Sequence, residues 1–260
     1  MIVMTKDKRI TSDEVKQIQL DMLKEIDDYC RKNDIRYCLS YGTLLGAIRH
    51  KGFIPWDDDV DLIMPYPDLL RFKKEFISDD LEVLDIDTYD YYEWPFPRIC
   101  NTHTYSKPGK YSTWYGVNID LYPVMGMIED VEKINKYMEK GTRIQKAFHK
   151  YLAWHRRELK FTPFTFLPGY KSAVKKMYDY VRMYPFENAK KFFHVGGPFK
   201  MYEVFDYDVF EELIDVDFEN CKFLAPKRYD DYLRQCYGDY MTPPPEDKRH
   251  PYHGGCYYWK

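Results

Sequence analysis

The segment Trp56-Asp57-Asp58-Asp59-Val60-Asp61-Leu62-Ile63-Met64 runs four carboxylates straight into an apolar stretch. Val60, Leu62, Ile63 and Met64, with Ile54 upstream, predict a core strand over 57–64 that carries the acids to the edge of a hydrophobic interior. Side chains alternate along a strand, which sets Asp57, Asp59 and Asp61 on one face and Asp58 on the other. Like charges in such a row repel, so the row calls for a counter-charge. Asp59 and Asp61, roughly 7 Å apart along a strand, suit a hard divalent cation, which prefers carboxylate oxygens and adds substrate phosphates to them. A solvated acidic turn is the common fate of a charge run, but the apolar flanks argue against it here. A calcium-binding loop starting at Asp57 would put Leu62 where the sharp turn needs glycine and Asp68 where it needs glutamate, and it fails on both counts.

Upstream lies Ser40-Tyr41-Gly42-Thr43-Leu44-Leu45-Gly46. Glycine lets a backbone approach a phosphate, and a helix opening near Thr43 would aim free N–H groups at it. Alone this is weak, because glycine at a strand-to-helix turn is common. Followed by a strand bearing Asp59-Val60-Asp61, it matches the nucleotidyltransferase pattern of Gly-Thr, helix, and strand with Asp-x-Asp. That pattern takes a third carboxylate from a neighbouring strand. Asp120, a lone acid inside Asn118-Ile119-Asp120-Leu121-Tyr122-Pro123, is the candidate, although by itself it reads better as a strand-end turn cap before Pro123.

Thr11-Ser12-Asp13-Glu14 is a capping box opening an amphipathic helix over 12–31. Strands are expected at 35–39, 81–86, 96–100, 117–122 and near 222–224, and helices at 43–49, 68–77, 133–159, 171–183 and from Arg228 to a stop at Gly238. The order predicts one compact mixed α/β unit: a nucleotidyltransferase-like core sheet with flanking helices over 1–130, a helical basic and aromatic part over 131–200, and a C-terminal part over 201–260 that packs back on the core. Between Lys140 and Arg182 eleven Lys/Arg face only Glu158 and Asp179, a basic face suited to phosphates or an anionic membrane surface, or simply a solvated helix face. Lys146, Lys150, Arg156, Arg157, Lys160, Lys171, Lys175 and Lys176 would supply its charge, and Trp154, Phe161, Phe164, Phe166 and Leu167 its anchors. The net charge of −3 implies no nucleic-acid partner. Six cysteines without metal-site spacing, no apolar leader at the N-terminus and no membrane-length apolar run lead to the expectation of a cytoplasmic protein with reduced thiols, in peripheral contact with the inner membrane face.

The run Tyr41-Gly-Thr-Leu-Leu-Gly-Ala-Ile-Arg-His-Lys-Gly-Phe-Ile-Pro-Trp-Asp-Asp-Asp-Val-Asp61 resembles the signature of the LicD family, which includes the fukutin-type proteins. Ile119-Asp120-Leu121-Tyr122-Pro123 and Tyr237-Gly238-Asp239-Tyr240-Met-Thr-Pro-Pro244 extend the resemblance, so that it frames the chain from about Ser12 to Pro245. It implies an enzyme that moves a phospho-alcohol from a CDP-linked donor, CDP-choline being favoured, onto a glycan or teichoic-acid precursor that is in some cases lipid-linked. By motif, Asp59, Asp61 and Asp120 would bind Mg²⁺ or Mn²⁺, with Asp120 also the candidate base. Gly42 and Thr43 would line the donor phosphates. Arg49, His50 and Lys51 could add charge there, with Asp57 and Tyr41 as supports. Trp56, Trp94, Trp114 and Tyr115 are candidates for an aromatic wall facing choline, although any one of them taken singly reads as core before cage. CDP-ribitol or CDP-glycerol as donor, nucleotidyl transfer, and a non-catalytic glycan- or phosphate-binding protein are the alternatives.

Overall fold

The computed structural model describes residues 8–89, 92, 94–106, 115–159, 170–194, 199–251 and 256–260. In chain order the elements are α1 (Ser12–Lys32), β1 (Cys38–Leu39), α2 (Tyr41–His50), β2 (Asp61–Pro65), α3 (Tyr66–Glu75), β3 (Leu81–Leu84), β4 (Arg98–Asn101), β5 (Thr104–Ser106), β6 (Asn118–Met127), α4 (Val131–Leu159), α5 (Tyr170–Val181), β7 (Lys191–His194), β8 (Val204–Asp206), β9 (Leu213–Phe218), β10 (Cys221–Pro226), α6 (Tyr229–Tyr237) and β11 (Tyr257–Trp259). α1 opens on the expected capping box: Thr11 Oγ1 accepts from the Glu14 amide, and the Glu14 carboxylate accepts from the Thr11 amide. α6 stops at Gly238, whose amide bonds back to Arg234 with φ at 68°.

A curled, mixed seven-stranded sheet organises the fold, with a path β1-β2-β6-β4-β3 and with β7 and β8 added along β6. β2 and β6 are parallel; the other pairs are antiparallel. β6 is the axis, buried along its length from Ile119 to Met127, as an apolar strand flanked on both sides must be. It carries Pro123, which a central strand normally excludes because it lacks an N–H. The register explains the exception. The Leu121 amide bonds to Pro97 on the β4 side, so the nitrogen two residues on faces that side too. Pro123 falls between the last β4 pair, Arg98 with Asp120, and the first β7 pair, Val124 with His194, where no partner waits for a donor.

The sheet separates two cores. Leu62, Met64, Ile99, Ile119 and Leu121 turn into the larger one, beneath α1, α2 and α3. Ile63, Tyr122, Val124, Phe96 and Phe192 share the opposite face, and Asp61 and Asp120 open that same face two residues earlier on β2 and β6. A third cluster joins α4 and α5 to the far end of β6 through Met125, Met127, Tyr137, Met138, Met177, Tyr180 and Phe193. There Tyr137 and Tyr180 stack at 4.6 Å, and each hydroxyl donates to the other's carbonyl. Much of the aromatic content is therefore packing. Gly126 marks the tightest approach: a Cβ there would lie 1.7 Å from the Pro185 carbonyl oxygen. Gly126→Ala is expected to cost about 1–3 kcal/mol of stability, measured as a lower urea midpoint at unchanged slope. An unshifted midpoint would show that the segment after α5 moves away freely.

The structure corrects several boundaries. The strand expected over 57–64 begins only at Asp61, and that over 35–39 shrinks to Cys38–Leu39. β1 pairs only Leu62 and Ile63, and β6 takes up β2 from Asp61 onward. With no ladder partner before Asp61, the chain instead turns at Ile54–Asp57. β5, β7, β8, β9 and β11 had no expected counterpart. All six cysteines are free thiols, and no helix among the described residues is long and apolar enough to cross a membrane. In the basic stretch Lys146, Lys175 and Lys176 are exposed. The side chains of Lys150, Trp154, Arg156, Arg157 and Lys171, and residues Lys160, Phe161, Phe164, Phe166 and Leu167, lie outside the described residues.

Candidate functional site

Parallel pairing of β2 with β6 sets Asp61 directly beside Asp120, and both are buried, at 6% and 5% exposure. Thr43 fixes the first of them. Its hydroxyl, at the start of α2, accepts from the Asp61 amide at 2.8 Å, while the Asp61 carbonyl accepts from Ser40. The Tyr122 hydroxyl spans the two acids, 3.1 Å from Asp61 Oδ1 and 3.3 Å from Asp120 Oδ2. Arg98, facing Asp120 across β4 and β6, donates through Nη2 to Oδ2 at 3.0 Å and holds Nε 2.7 Å from Oδ1. Asn118 donates to the same Oδ1. The Arg98 guanidinium in turn lies over Trp94, 4.4 Å from the ring centroid.

Asp57, Asp58 and Asp59 close the site from the loop before β2, with carboxylate oxygens all within 4.8 Å of one another. This overturns the expected separation of Asp58 onto an opposite face, because alternation does not apply to residues that never enter the strand. A Cβ on Gly42 would stand 2.6 Å from Asp57 Oδ2, so only glycine leaves room for that carboxylate against α2. Burial first, then the fields of Asp59, Asp120 and Asp57, hold the Asp61 carboxyl well above the usual carboxylate range. Burial, then Asp59, pushes Asp57 up to about 7. The cluster thus holds more negative charge than Arg98, the one cation seen touching it among the described residues, offsets.

Tyr41 supports the cluster from behind. It sits at a φ of 41°, a strained value for a bulky residue, and buried partners pin it: its hydroxyl lies 2.8 Å from His194 Nδ1 and donates to Glu203 at 3.0 Å. His194 is fully buried, and burial drives its imidazole down to about 3, which keeps it neutral.

Other expected site residues lie elsewhere. Thr43 is buried at 4% exposure and positions Asp61. Lys51 is exposed and ends α2 in the left-handed region, about 15 Å of helix away from Gly42. Tyr115 is core, packed with Tyr89 and Tyr92. Trp94 packs with Phe96 and Arg98, and Trp56 with His50 and Arg249, so no single wall joins them. Trp114 lies outside the described residues. Arg98, Asp58 and Tyr237 were not anticipated. A lone arginine in the apolar run Phe96-Pro97-Arg98-Ile99-Cys100 was the available signal, since a buried cation implies a buried anion. Tyr237, at the end of α6 and 42% exposed, lies close enough to the cluster for Asp61, Asp57 and Asp59 to act on its phenol.

A family model described as LicD/FKTN/FKRP, nucleotidyltransferase domain, matches residues 34–171, which contain both acidic strands and the glycine turn. The chain belongs to the LicD family. The lipopolysaccharide cholinephosphotransferase LicD of Haemophilus influenzae is 29% identical over 262 residues, spanning 95% of this chain and 97% of that protein. Two uncharacterized Rickettsia proteins, of Rickettsia typhi and Rickettsia prowazekii, are each 40% identical over shorter stretches of 68 and 53 residues, covering 26% and 20% of this chain and 22% and 20% of theirs. The chain is thus a phosphotransferase of the LicD family, and its nucleotidyltransferase domain accounts for the mixed α/β architecture.

Proposed function

We propose that this LicD-family chain transfers phosphocholine from CDP-choline to a cell-surface glycan precursor. The observation that supports the donor and acceptor class most is the near end-to-end match to a lipopolysaccharide cholinephosphotransferase. The site chemistry agrees with a phosphoryl transfer. Asp57, Asp58 and Asp59 form an all-oxygen donor set, with Asp61 close enough to feel the charges of Asp59 and Asp57, and its surplus negative charge fits Mg²⁺ or Mn²⁺. Such an ion, when bound there, neutralises charge on the donor phosphates. The protein's own part is positioning. Thr43 and Ser40 hold the Asp61 backbone, Gly42 leaves the Asp57 carboxylate its place, and Tyr122 ties Asp61 to the Arg98–Asp120 pair. Asp120 already meets Arg98, Asn118 and Tyr122, so service as metal ligand or base requires it to release one of these partners. Arg49, whose Nη1 donates to the Tyr240 carbonyl near the end of α2, is offered as a further contact for the donor phosphates.

The basic stretch over 140–182 is proposed to face an anionic, lipid-linked acceptor at the membrane surface. The donor is tested by ³¹P NMR of the protein with Mg²⁺ or Mn²⁺ and CDP-choline, CDP-glycerol or CDP-ribitol. CMP release is expected from CDP-choline well ahead of the polyol donors. Preferential turnover of a polyol donor would replace the choline assignment, and pyrophosphate formation from a nucleoside triphosphate would replace the reaction class.

A further inference from the structure

The first turn of α2 carries Gly42 and Thr43, on which the acid cluster leans, yet no side chain caps it. Ser40, the N-cap, makes no side-chain capping bond, and Tyr41 enters the helix at a φ of 41°. A bulky residue keeps such a strained backbone only where its surroundings over-determine it. Here the surroundings come from the second half of the chain. The Tyr41 hydroxyl meets His194 Nδ1, at the end of β7, at 2.8 Å and Glu203 Oε1, just before β8, at 3.0 Å. On α6, the Tyr232 hydroxyl accepts from the Tyr41 amide at 3.4 Å and lies 3.3 Å from His194 Nε2. His194 and Tyr232 are fully buried, and Glu203 is 1% exposed.

These four bonds have one consistent direction. A backbone N–H can only donate, so the Tyr232 hydroxyl accepts from Tyr41 and gives its own proton to His194 Nε2. Burial keeps the imidazole neutral, and a neutral imidazole that accepts at Nε2 carries its proton on Nδ1. Nδ1–H then donates to the Tyr41 oxygen, whose proton goes to the Glu203 carboxylate. The result is a closed ring of three residues with one outlet, and the outlet is an anion. A carboxylate so buried is costly unless it accepts hydrogen bonds, and Tyr41 turns that need into a hold on the start of α2. From there the hold reaches the acids by two routes. Along the backbone, Gly42 leaves the Asp57 carboxylate its place and Thr43 accepts from the Asp61 amide. Through the ring, Tyr41 packs edge-on at 5.4 Å against Tyr122, whose hydroxyl spans Asp61 and Asp120.

We propose that His194 and Glu203 are positioning residues for the transfer reaction, acting through Tyr41 to fix where Asp57 and Asp61 stand. The assignment rests on the reading of the acid cluster as the catalytic centre. It puts the control of that centre in residues that lie beyond the matched family domain at 34–171.

The test compares Tyr41→Phe, Glu203→Leu and Glu203→Gln with Tyr180→Phe in the full chain. Tyr41→Phe keeps the ring and removes the hydroxyl that joins His194 to Glu203. Tyr180→Phe controls for the loss of a buried hydroxyl bond, because Tyr180 donates to the Tyr137 carbonyl in the remote α4–α5 cluster. Each variant is read for Mn²⁺ affinity, by loss of the free-ion paramagnetic resonance signal, and for kcat and KM of CMP release from CDP-choline. Tyr41→Phe and Glu203→Leu are expected to lose roughly tenfold or more in both Mn²⁺ affinity and kcat, the usual scale for groups that orient metal ligands from behind. KM should hardly move. Glu203→Gln, whose amide oxygen still accepts from Tyr41, should recover most of what Glu203→Leu loses. Tyr180→Phe should lower the unfolding midpoint and leave Mn²⁺ affinity and kcat at the wild-type level. Tyr41→Phe decides by itself should Glu203→Leu fail to fold. Wild-type Mn²⁺ affinity and kcat in Tyr41→Phe, or an equal loss in Tyr180→Phe, would overturn the positioning role. A wild-type protein that binds Mn²⁺ but releases no CMP from CDP-choline, with the Mn²⁺ affinities still divided as expected, would remove the donor reading and leave the positioning role standing.

Discussion

Asp61→Asn is expected to abolish turnover and, in chelating buffer, to make the protein more stable than the wild type. The two effects have one cause. Asp61 is buried beside Asp120, within the fields of Asp57 and Asp59, and its ionised form is disfavoured by every neighbour except the Tyr122 hydroxyl. Asparagine keeps that hydrogen bond and removes the charge. If the charge serves to hold a cation and phosphate oxygens, its removal forfeits several kcal/mol of transition-state stabilisation, a fall in rate of roughly a thousandfold or more. Free of that cation, the same carboxylate is a strain on the fold, so its neutralisation adds about 1–3 kcal/mol, a rise in Tm of a few degrees. The sign of the pH dependence follows. Asp57 and Asp61 have folded pKa values raised above their ordinary ones, so their contribution is fully present at low pH and is lost as pH rises from about 3.8 through about 7 and beyond. His194 acts in the opposite sense: its folded pKa, lowered to about 3, removes stability as pH falls below about 6.5. The difference between wild type and Asp61→Asn isolates the carboxylate part, and it should widen from pH 5 to pH 8 and close when Mg²⁺ is added. A thermal-shift series showing Asp61→Asn less stable than wild type throughout would sink this account of the cluster.

The second large effect concerns Arg98. It is the one cation touching these acids among the described residues, its side chain 13% exposed, and its loss leaves the Asp120 carboxylate, at 5% exposure, without its ion-pair partner. Arg98→Met is expected to cost about 3–5 kcal/mol, the penalty for stranding one partner of a buried ion pair. Asp120→Asn in the same chain should recover a large share of it, because an amide needs no counter-charge and can still meet Asn118 and Tyr122. Urea unfolding of the wild type, both single variants and the double variant gives the coupling directly. Additive losses, with no recovery in the double variant, would mean that Arg98 matters through its packing on Trp94 and not through Asp120.

Local chemistry carried a good part of this protein in plain view. The capping box at Thr11, the stop at Gly238, the amphipathic spans of α1, α4 and α5 and the apolar run of β6 depend on neighbours a few residues away, and the sequence alone determined them. It also singled out Asp61 and Asp120, through the pattern of Gly42-Thr43, a helix and a strand with Asp59-Val60-Asp61 that takes a third carboxylate from a neighbouring strand. Only the tertiary structure decided what those acids meet. The parallel register that sets Asp61 against Asp120 joins strands separated by α3 and three further strands, and side-chain period says nothing about which distant strand lies alongside. Asp58 joined Asp57 and Asp59 because β1 is too short to draw the preceding residues into the sheet, a fact about a partner and not about the acids themselves. Arg98 reached Asp120 through the pairing of β4 with β6, and charge compensation acts through space with no regard for separation along the chain.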